Sequence, residues 1–179
     1  MDGVETDAVV IRAAVESDLE ALEWGGAYVH YRRVFRQTFD GAQRGQRLML
    51  VAVSGEAMVG QVFVQWSSTE RHFADGVERA YLYALRVRPE WQGRGVGSRL
   101  LAAAEGELIA RGFTIAVIAA GMHNPGARRL YERQGYRVFA EDPGVWWFTN
   151  ARGEQQAVEE PCWVMEKRLS RKEAADVGG

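Results

Sequence analysis

Cysteine is nearly absent from this chain. One residue in 179, Cys162, excludes an intramolecular disulfide and fits a reducing compartment, which predicts a cytoplasmic protein. Lysine is scarce as well: Lys167 and Lys172 are the only two, so arginine supplies nearly all of the positive charge. Neither sign of charge dominates. The formal net charge of −2 lacks the basic footprint of a nucleic-acid binder, and no nucleic-acid partner is expected. No apolar run is long enough to span a bilayer, so no membrane partner is expected either. Asp2, Glu5 and Asp7 stand at the start without an apolar run, which predicts no secretory signal. There is no internal repeat and no interdomain linker, and no metal site is expected. One domain over residues 1–169 and a mobile polar tail over 170–179 is the expected organisation. With 47% apolar and 26% charged residues, such a domain has the means to build an ordinary globular core.

The chain is organised around Ala80 to Gly112. A strand comes first, with Tyr81, Tyr83, Leu85 and Val87 expected on one face and Leu82, Ala84 and Arg86 on the other. Pro89 ends its ladder for want of an N–H. The turn Gln92-Gly93-Arg94-Gly95-Val96-Gly97 follows. Then comes a helix with Val96, Leu100, Ala104 and Leu108 on one stripe, Leu101 beside it, and Gly112 at its left-handed cap. Three glycines at alternate positions let a ligand approach backbone N–H groups, and the helix N-terminus adds partial positive charge. Together they form an anion site suited to a pyrophosphate, to which Arg94 and Arg99 can add charge-assisted bonds. The spacing is neither G-x-G-x-x-G nor G-x-x-x-x-G-K-S/T, the two commoner phosphate loops. A turn that uses glycine for geometry alone is the plainer reading.

The run of strand, Arg88-Pro89-Glu90-Trp91, Gln-x-x-Gly-x-Gly and amphipathic helix resembles the acetyl-CoA-binding motif of the GCN5-related N-acetyltransferase (GNAT) family. A second block, Asn124-Pro125-Gly126-Ala127-Arg128-Arg129-Leu130-Tyr131-Glu132-Arg133-Gln134-Gly135-Tyr136, is similar to the family's Asn-x-x-Ala-x-x-hydrophobic-Tyr-x-x-x-Gly-Phe/Tyr. The two blocks have the family's order and separation. The resemblance implies a single α/β domain with a mixed, mostly antiparallel central sheet flanked by helices. It implies acetyl-CoA as co-substrate and a small-molecule amine or protein amino group as acceptor. It assigns cofactor contacts to Gln92, Gly93, Arg94, Gly95, Val96, Gly97 and Ser98, to the main chain of Leu85, Arg86 and Val87, and to Asn124 and Tyr131. The main-chain contacts require the strands over 81–87 and 113–120 to splay apart and leave a backbone unpaired.

Elsewhere the chain predicts its own layout. Val9 to Arg12 reads as an edge strand, and Ser17-Asp18-Leu19-Glu20 as a capping box with Ser17 as the cap. The helix it opens carries Leu19 and Leu22 until Gly25-Gly26 interrupts it, and a second helix runs from Ala27 to about Phe39. Arg47 to Val53 and Ala57 to Trp66 form a hairpin about Ser54-Gly55-Glu56, with loop from Ser67 to Arg79. Phe113 to Ala120 is a buried strand, and strand-helix-strand predicts a parallel, right-handed crossover. Asn124, Pro125 and Gly135 mark the ends of a helix, Tyr136 to Ala140 is a strand, and another starts at Trp146. Asn150 to Gln156 is a polar tip, and Cys162 to Leu169 the last strand. Adjacent Trp146 and Trp147 point to opposite sides of theirs, so at least one is exposed and can mark a substrate lid or a homodimer surface.

Acetyl transfer to an amine needs the amine deprotonated, donors for the carbonyl oxygen, and a proton or positive neighbour for the departing thiolate. Tyr131 matches the tyrosine that often protonates the thiolate in the family; by periodicity it equally belongs to the core stripe of Ala127 and Leu130. Asn124 is either a cofactor contact or an N-cap. Many relatives carry a glutamate near the start of the central strand, where this chain has Tyr81. Glu78, the nearest acid before it, is the candidate base, directly or through water, against the plainer reading of a solvated loop carboxylate. The missing glutamate also leaves open a non-catalytic CoA-binding or regulatory domain, and the glycine turn a site for another nucleotide.

Overall fold

The structure, a computed structural model, describes residues 8–170. The predicted tail from residue 171 onward lies outside the described residues, as do residues 1–7. The described residues form nine strands: β1 (Val9–Ala13), β2 (Arg47–Ser54), β3 (Ala57–Gln65), β4 (Arg79–Val87), β5 (Ile115–Gly121), β6 (Arg137–Asp142), β7 (Val145–Thr149), β8 (Gln155–Glu159) and β9 (Cys162–Arg168). Three α-helices accompany them: α1 (Arg32–Gln43), α2 (Val96–Ala110) and α3 (Pro125–Arg133). Seven strands make one sheet in the order β1-β2-β3-β4-β5-β9-β6, while β7 and β8 form a separate hairpin. Within the sheet β4–β5 is the parallel pair and every other pair is antiparallel. The expected mixed, mostly antiparallel sheet with flanking helices is therefore present, and α2 makes the parallel crossover.

The predicted stripe of α2 is buried as a unit: Val96, Leu100, Leu101, Ala104 and Leu108 are each at most 3% exposed. Each buried Val or Leu side chain contributes about 1.5–3 kcal/mol of transfer free energy. They pack on one face of the sheet with Val62, Val64, Leu82 and Ile118, joined by Tyr131 of α3. The opposite face packs Met49, Val51, Met58 and Phe63 against Leu22 and against Phe35 and Phe39 of α1. One carboxylate, Glu105, lies on the buried side of α2. It accepts from Tyr136 Oη at 2.8 Å and from Lys167 Nζ at 3.0 Å, so its charge is paired.

The N-terminal third departs from expectation. The capping box at Ser17 is absent. Asp18 is the residue that ties this segment, accepting from the Val15 N–H at 2.7 Å and from both Arg12 Nη atoms at 2.7 and 3.0 Å. A carboxylate so placed is a better acceptor than a serine hydroxyl because its bonds are charge-assisted. The residues that follow form short 3₁₀ turns, Ala21–Gly26 and Val29–Tyr31, in place of an α-helix. Trp24, Gly25 and Gly26 all have positive φ, so the break starts one residue before the glycines, and α1 begins at Arg32 rather than Ala27.

Strand β4 carries a second departure. Phe63 pairs with Tyr83, and Gln61 pairs with Arg86, so β4 has one more residue than β3 between the two pairs. The extra residue is a β-bulge, and Ala84 within it has φ +53°. The bulge reverses the alternation of faces. Leu85 and Val87 join Leu82 against α2, while Arg86 joins Tyr83 on the α1 side, which corrects the simple alternation expected from the sequence. Gly60 makes room for this kink: a Cβ there would lie 2.8 Å from the Arg86 carbonyl oxygen and 3.2 Å from Leu100 Cδ1. Gly60→Ala is accordingly expected to cost roughly 1–3 kcal/mol. A urea-denaturation midpoint equal to that of the parent would mean that β3 and β4 part there without strain.

Candidate active site

The site is built where β4 and β5 separate. Their parallel pairing runs from Arg79↔Ile115 to Leu82↔Ile118 and stops, although β4 continues to Val87 and β5 to Gly121. Beyond Leu82 the β5-facing edge of β4 has no strand beside it, while its other edge remains bonded to β3. This is the separation that main-chain recognition through Leu85, Arg86 and Val87 requires. The chain then enters the glycine turn, where Gly93 and Gly95 adopt φ +73° and +81°. A Cβ at either would meet no atom within 4 Å, so both face open space. Gln92 Nε2 closes the turn on the Val87 carbonyl at 3.0 Å. The first helical bond of α2 runs from the Arg99 N–H to the Gly95 carbonyl, so the N–H groups of Val96, Gly97 and Ser98 precede it and point out of the helix end. These residues fit a pyrophosphate. Arg94 lies over the Trp91 ring at 5.0 Å, beside the turn, whereas Arg99 donates to the Val9 carbonyl at 2.8 Å and serves the β1 edge.

Helix α3 docks on the start of α2. Leu130 Cδ2 lies 3.3 Å from where a Gly97 Cβ would stand, and Gln134 Nε2 donates to Ser98 Oγ at 3.1 Å. Asn124 caps α3 by accepting from the Ala127 N–H at 3.1 Å. Tyr131, buried at 6% exposure, is thereby held in the core beside the turn. Burial pushes its phenol up to about 12, so it is neutral throughout the ordinary range. The Tyr81 phenol is raised as well, first by burial and then by Cys162, Tyr131 and Asp142.

The face of β4 turned from α2 is aromatic. Tyr81 and Tyr83 stack with centroids 5.7 Å apart, and Arg47 Nη1 donates to Tyr83 Oη at 3.1 Å. Across from them, Tyr31 stacks on Trp146 at 6.0 Å and meets Phe148 at 4.8 Å, so the 3₁₀ turns and the β7–β8 hairpin form one wall. Trp147 is on the outer side of that hairpin, 65% exposed.

Glu78 is not brought to this opening. It precedes β4 at the opposite end, about 20 Å along the strand from Ala84 at ~3.3 Å per residue. Its carbonyl accepts from the Thr114 and Ile115 N–H groups at 3.0 Å, and its exposed carboxylate meets Thr114 Oγ1 at 3.3 Å. The carboxylates that do approach are two that sequence reasoning passed over. Asp142 stands at the end of β6, where it pairs with Cys162, and Glu160 stands in the loop before β9. Both act through space on Cys162, whose thiol is raised mainly by burial. His72 Nε2 lies 3.8 Å from Asp142. No linear motif marks either acid; only the ladder Gly121↔Cys162↔Asp142 puts them beside the end of β5. Among the described residues no cluster of three His, Cys, Asp or Glu side chains is arranged to hold a metal ion.

A family model, the acetyltransferase (GNAT) family, matches residues 15–136. The chain belongs to that family. As a GNAT member it is an acyl-CoA N-acyltransferase with acetyl-CoA as co-substrate. Solved structures of the same fold include NAA60 of Arabidopsis thaliana in complex with acetyl-CoA, at 18% identity and TM-score 0.70, covering 90% of this chain and 99% of that one. The ribosomal-protein-alanine N-acetyltransferase of Brucella melitensis aligns at 20% identity and TM-score 0.68, over 89% and 99%. The PaiA N-acetyltransferase of Thermoplasma acidophilum, in complex with coenzyme A, aligns at 18% and 0.64, over 90% and 99%. At these identities the likeness is one of fold. No curated protein matches the chain.

The raised phenols of this GNAT domain have a consequence for stability. A folded-state pKa above the ordinary value of 10.0 means that the native state favours the neutral phenol. That contribution is complete below pH 10 and is lost as pH rises toward about 12. For Tyr131 the loss is about 2–3 kcal/mol. Urea midpoints are expected to hold steady up to pH 10 and then fall, less steeply in Tyr131→Phe. An identical alkaline decline in that variant would remove Tyr131 as a contributor.

Proposed function

We propose that this GNAT member transfers the acetyl group of acetyl-CoA to the primary amine of a small molecule or a protein amino group by direct attack. The observation that supports it most is the separation of β4 from β5 beyond Leu82↔Ile118, directed at the glycine turn with Tyr131 beside it. In this reading the N–H groups of Val96, Gly97 and Ser98, with the end of α2, hold the pyrophosphate, assisted by Arg94. The free edge of β4 at Leu85, Arg86 and Val87 holds the pantetheine arm by main-chain bonds. Acetyl-CoA supplies the activated acetyl thioester. The amine nitrogen forms a bond to the acetyl carbon, the C–S bond breaks, and the sulfur leaves with the electron pair.

Tyr131 donates its phenolic proton toward that sulfur. Its neutral state, maintained by burial, is the state an acid needs. A thiolate forming in the same dry surroundings is itself pushed above its ordinary ~8.5, which narrows the gap between donor and acceptor. The amine must first lose a proton, since a free alkylamine has a pKa near ~10. β4 offers no carboxylate for this. The proton leaves by water on the side of Asp142, whose field reaches Tyr81, and of Glu160, which acts with it on Cys162. Positioning of amine and thioester side by side supplies much of the remaining acceleration. The single free thiol, Cys162, supports a reducing, cytoplasmic setting.

Two experiments test this reading. Acetyl-CoA is expected to raise the melting temperature, as a ligand of the native state must, and Gly95→Val is expected to abolish the shift. The substitution imposes a β-branched side chain on φ +81° and fills the open face of the turn. A full shift in that variant would place the ligand elsewhere. Tyr131→Phe is expected to lower kcat roughly 10²–10⁴-fold with little change in acetyl-CoA affinity, and Glu78→Gln to give a rate–pH profile parallel to the parent. Wild-type turnover in Tyr131→Phe would reduce that residue to packing, and a rate deficit in Glu78→Gln confined to neutral pH would restore Glu78 as the base.

A further inference from the structure

Arg86 and Gln61 stand opposite one another in the β3–β4 ladder, on the face of the sheet turned from α2. Both carry buried polar atoms with no protein partner among the described residues: Arg86 Nη1, and the amide nitrogen and oxygen of the wholly buried Gln61. Trp24 Nε1, in the neighbouring 3₁₀ turn, is in the same state. Three donors are thus unused against one acceptor. The Arg86 guanidinium lies 4.0 Å over the Tyr28 ring and 5.5 Å over the Tyr31 ring, which stabilise its charge but give Nη1 no directed bond. No carboxylate is within ion-pair distance among the described residues; Glu160 acts on it from further away. A buried guanidinium nitrogen without an acceptor is costly, and so is a buried amide without partners. The excess of donors calls for an oxygen anion.

The phosphates of acetyl-CoA do not meet that need. The glycine turn leads into α2, which packs on the opposite face of the sheet. An anion at Arg86 therefore arrives with the acceptor. Arg86 also belongs to the segment of β4 that has lost its β5 neighbour, so its side chain starts from the edge of the opening. In an α-amino acid the carboxylate carbon is two bonds from the amine nitrogen, which suits a cation rooted at the reaction site. Tyr31, Phe148 and Trp146 supply an apolar wall beside it.

We propose that Arg86 selects acceptors bearing a carboxylate next to the amine: an amino acid with an apolar side chain, its carboxylate on the guanidinium and its side chain against Tyr31, Trp146 and Phe148. The proposal rests on the acetyl-transfer reading above and gives its acceptor a chemical class. The test uses binding as well as turnover. N-acetyl-phenylalanine and N-acetyl-phenylalaninamide, which differ in the carboxylate, are titrated calorimetrically into the full chain. Phenylalanine and phenylalaninamide are compared as acceptors by kcat/KM. The acid is expected to be preferred roughly 10- to 100-fold in both measurements, the range of a charge-assisted hydrogen bond. Arg86→Met is expected to bring the ratio to about one, and Arg86→Lys, which keeps the charge without the planar fork, to retain part of it. Equal affinity of the parent for acid and amide overturns the proposal, as does a ratio that survives in Arg86→Met. If Arg86→Met does not fold, the parent's ratio and Arg86→Lys decide. Acid-selective binding without turnover would leave the carboxylate site standing and fail the acetyl-transfer reading; turnover of amide and acid alike would do the reverse.

Discussion

One extra residue in β4 governs the active region of this protein. The bulge at Ala84 places an alanine at positive φ, where a Cβ costs roughly 1–2 kcal/mol. It persists because both flanks are pinned to β3, by Phe63↔Tyr83 before it and by Gln61↔Arg86 after it. Gly60 removes the side chain that would otherwise strike the Arg86 carbonyl. Backbone strain held in this way by its surroundings is characteristic of functional sites. Two properties meet at this point. Beyond Leu82 the edge of β4 is free of β5, and beyond Ala84 the faces of the strand are exchanged.

The exchange makes the sheet a partition with different chemistry on each side. Leu85 and Val87 turn toward α2 and close the core beneath the glycine turn. Arg86 turns the other way, onto the rings of Tyr28 and Tyr31. An unbroken alternation would have put an arginine against Leu100 or a leucine among the tyrosines, and either arrangement would weaken both layers. A helix end and glycines leave backbone donors open on one side, and aromatic rings with the guanidinium groups of Arg47 and Arg86 form the other.

The titratable groups are arranged in keeping with that division. Tyr81, Tyr83 and Tyr131 are all held neutral, chiefly by burial. Asp142, which acts on Tyr81, and Glu160, which acts on Cys162, sit toward the rim, where water reaches them. Neutral phenols in a dry interior thus stand apart from carboxylates on a wet rim.

Much of this was legible in the residue order, because local chemistry decides it. Gly93 and Gly95 supply the positive φ that the turn requires, and Val96, Leu100, Ala104 and Leu108 share a helix stripe whatever lies beneath. Asn124, Pro125 and Gly135 delimit α3 through their own side chains and dihedral preferences. Ser17 does not cap the segment, since Asp18 takes the Val15 N–H and so sets the turn two residues earlier, with Arg12 strengthening its hold. Glu78 stands apart from the opening for a different reason: closeness along a strand is distance in space, and three residues before Tyr81 lead away from it. The sequence by itself determined the helix stripes, the glycine turn and the family. Only the tertiary structure decided which way Arg86 faces, where β4 parts from β5, and that Asp142 and Glu160 both act on Cys162 beside the end of β5. Those depend on pairing register between segments far apart in the chain, and a shift of one residue in register reverses every face that follows it.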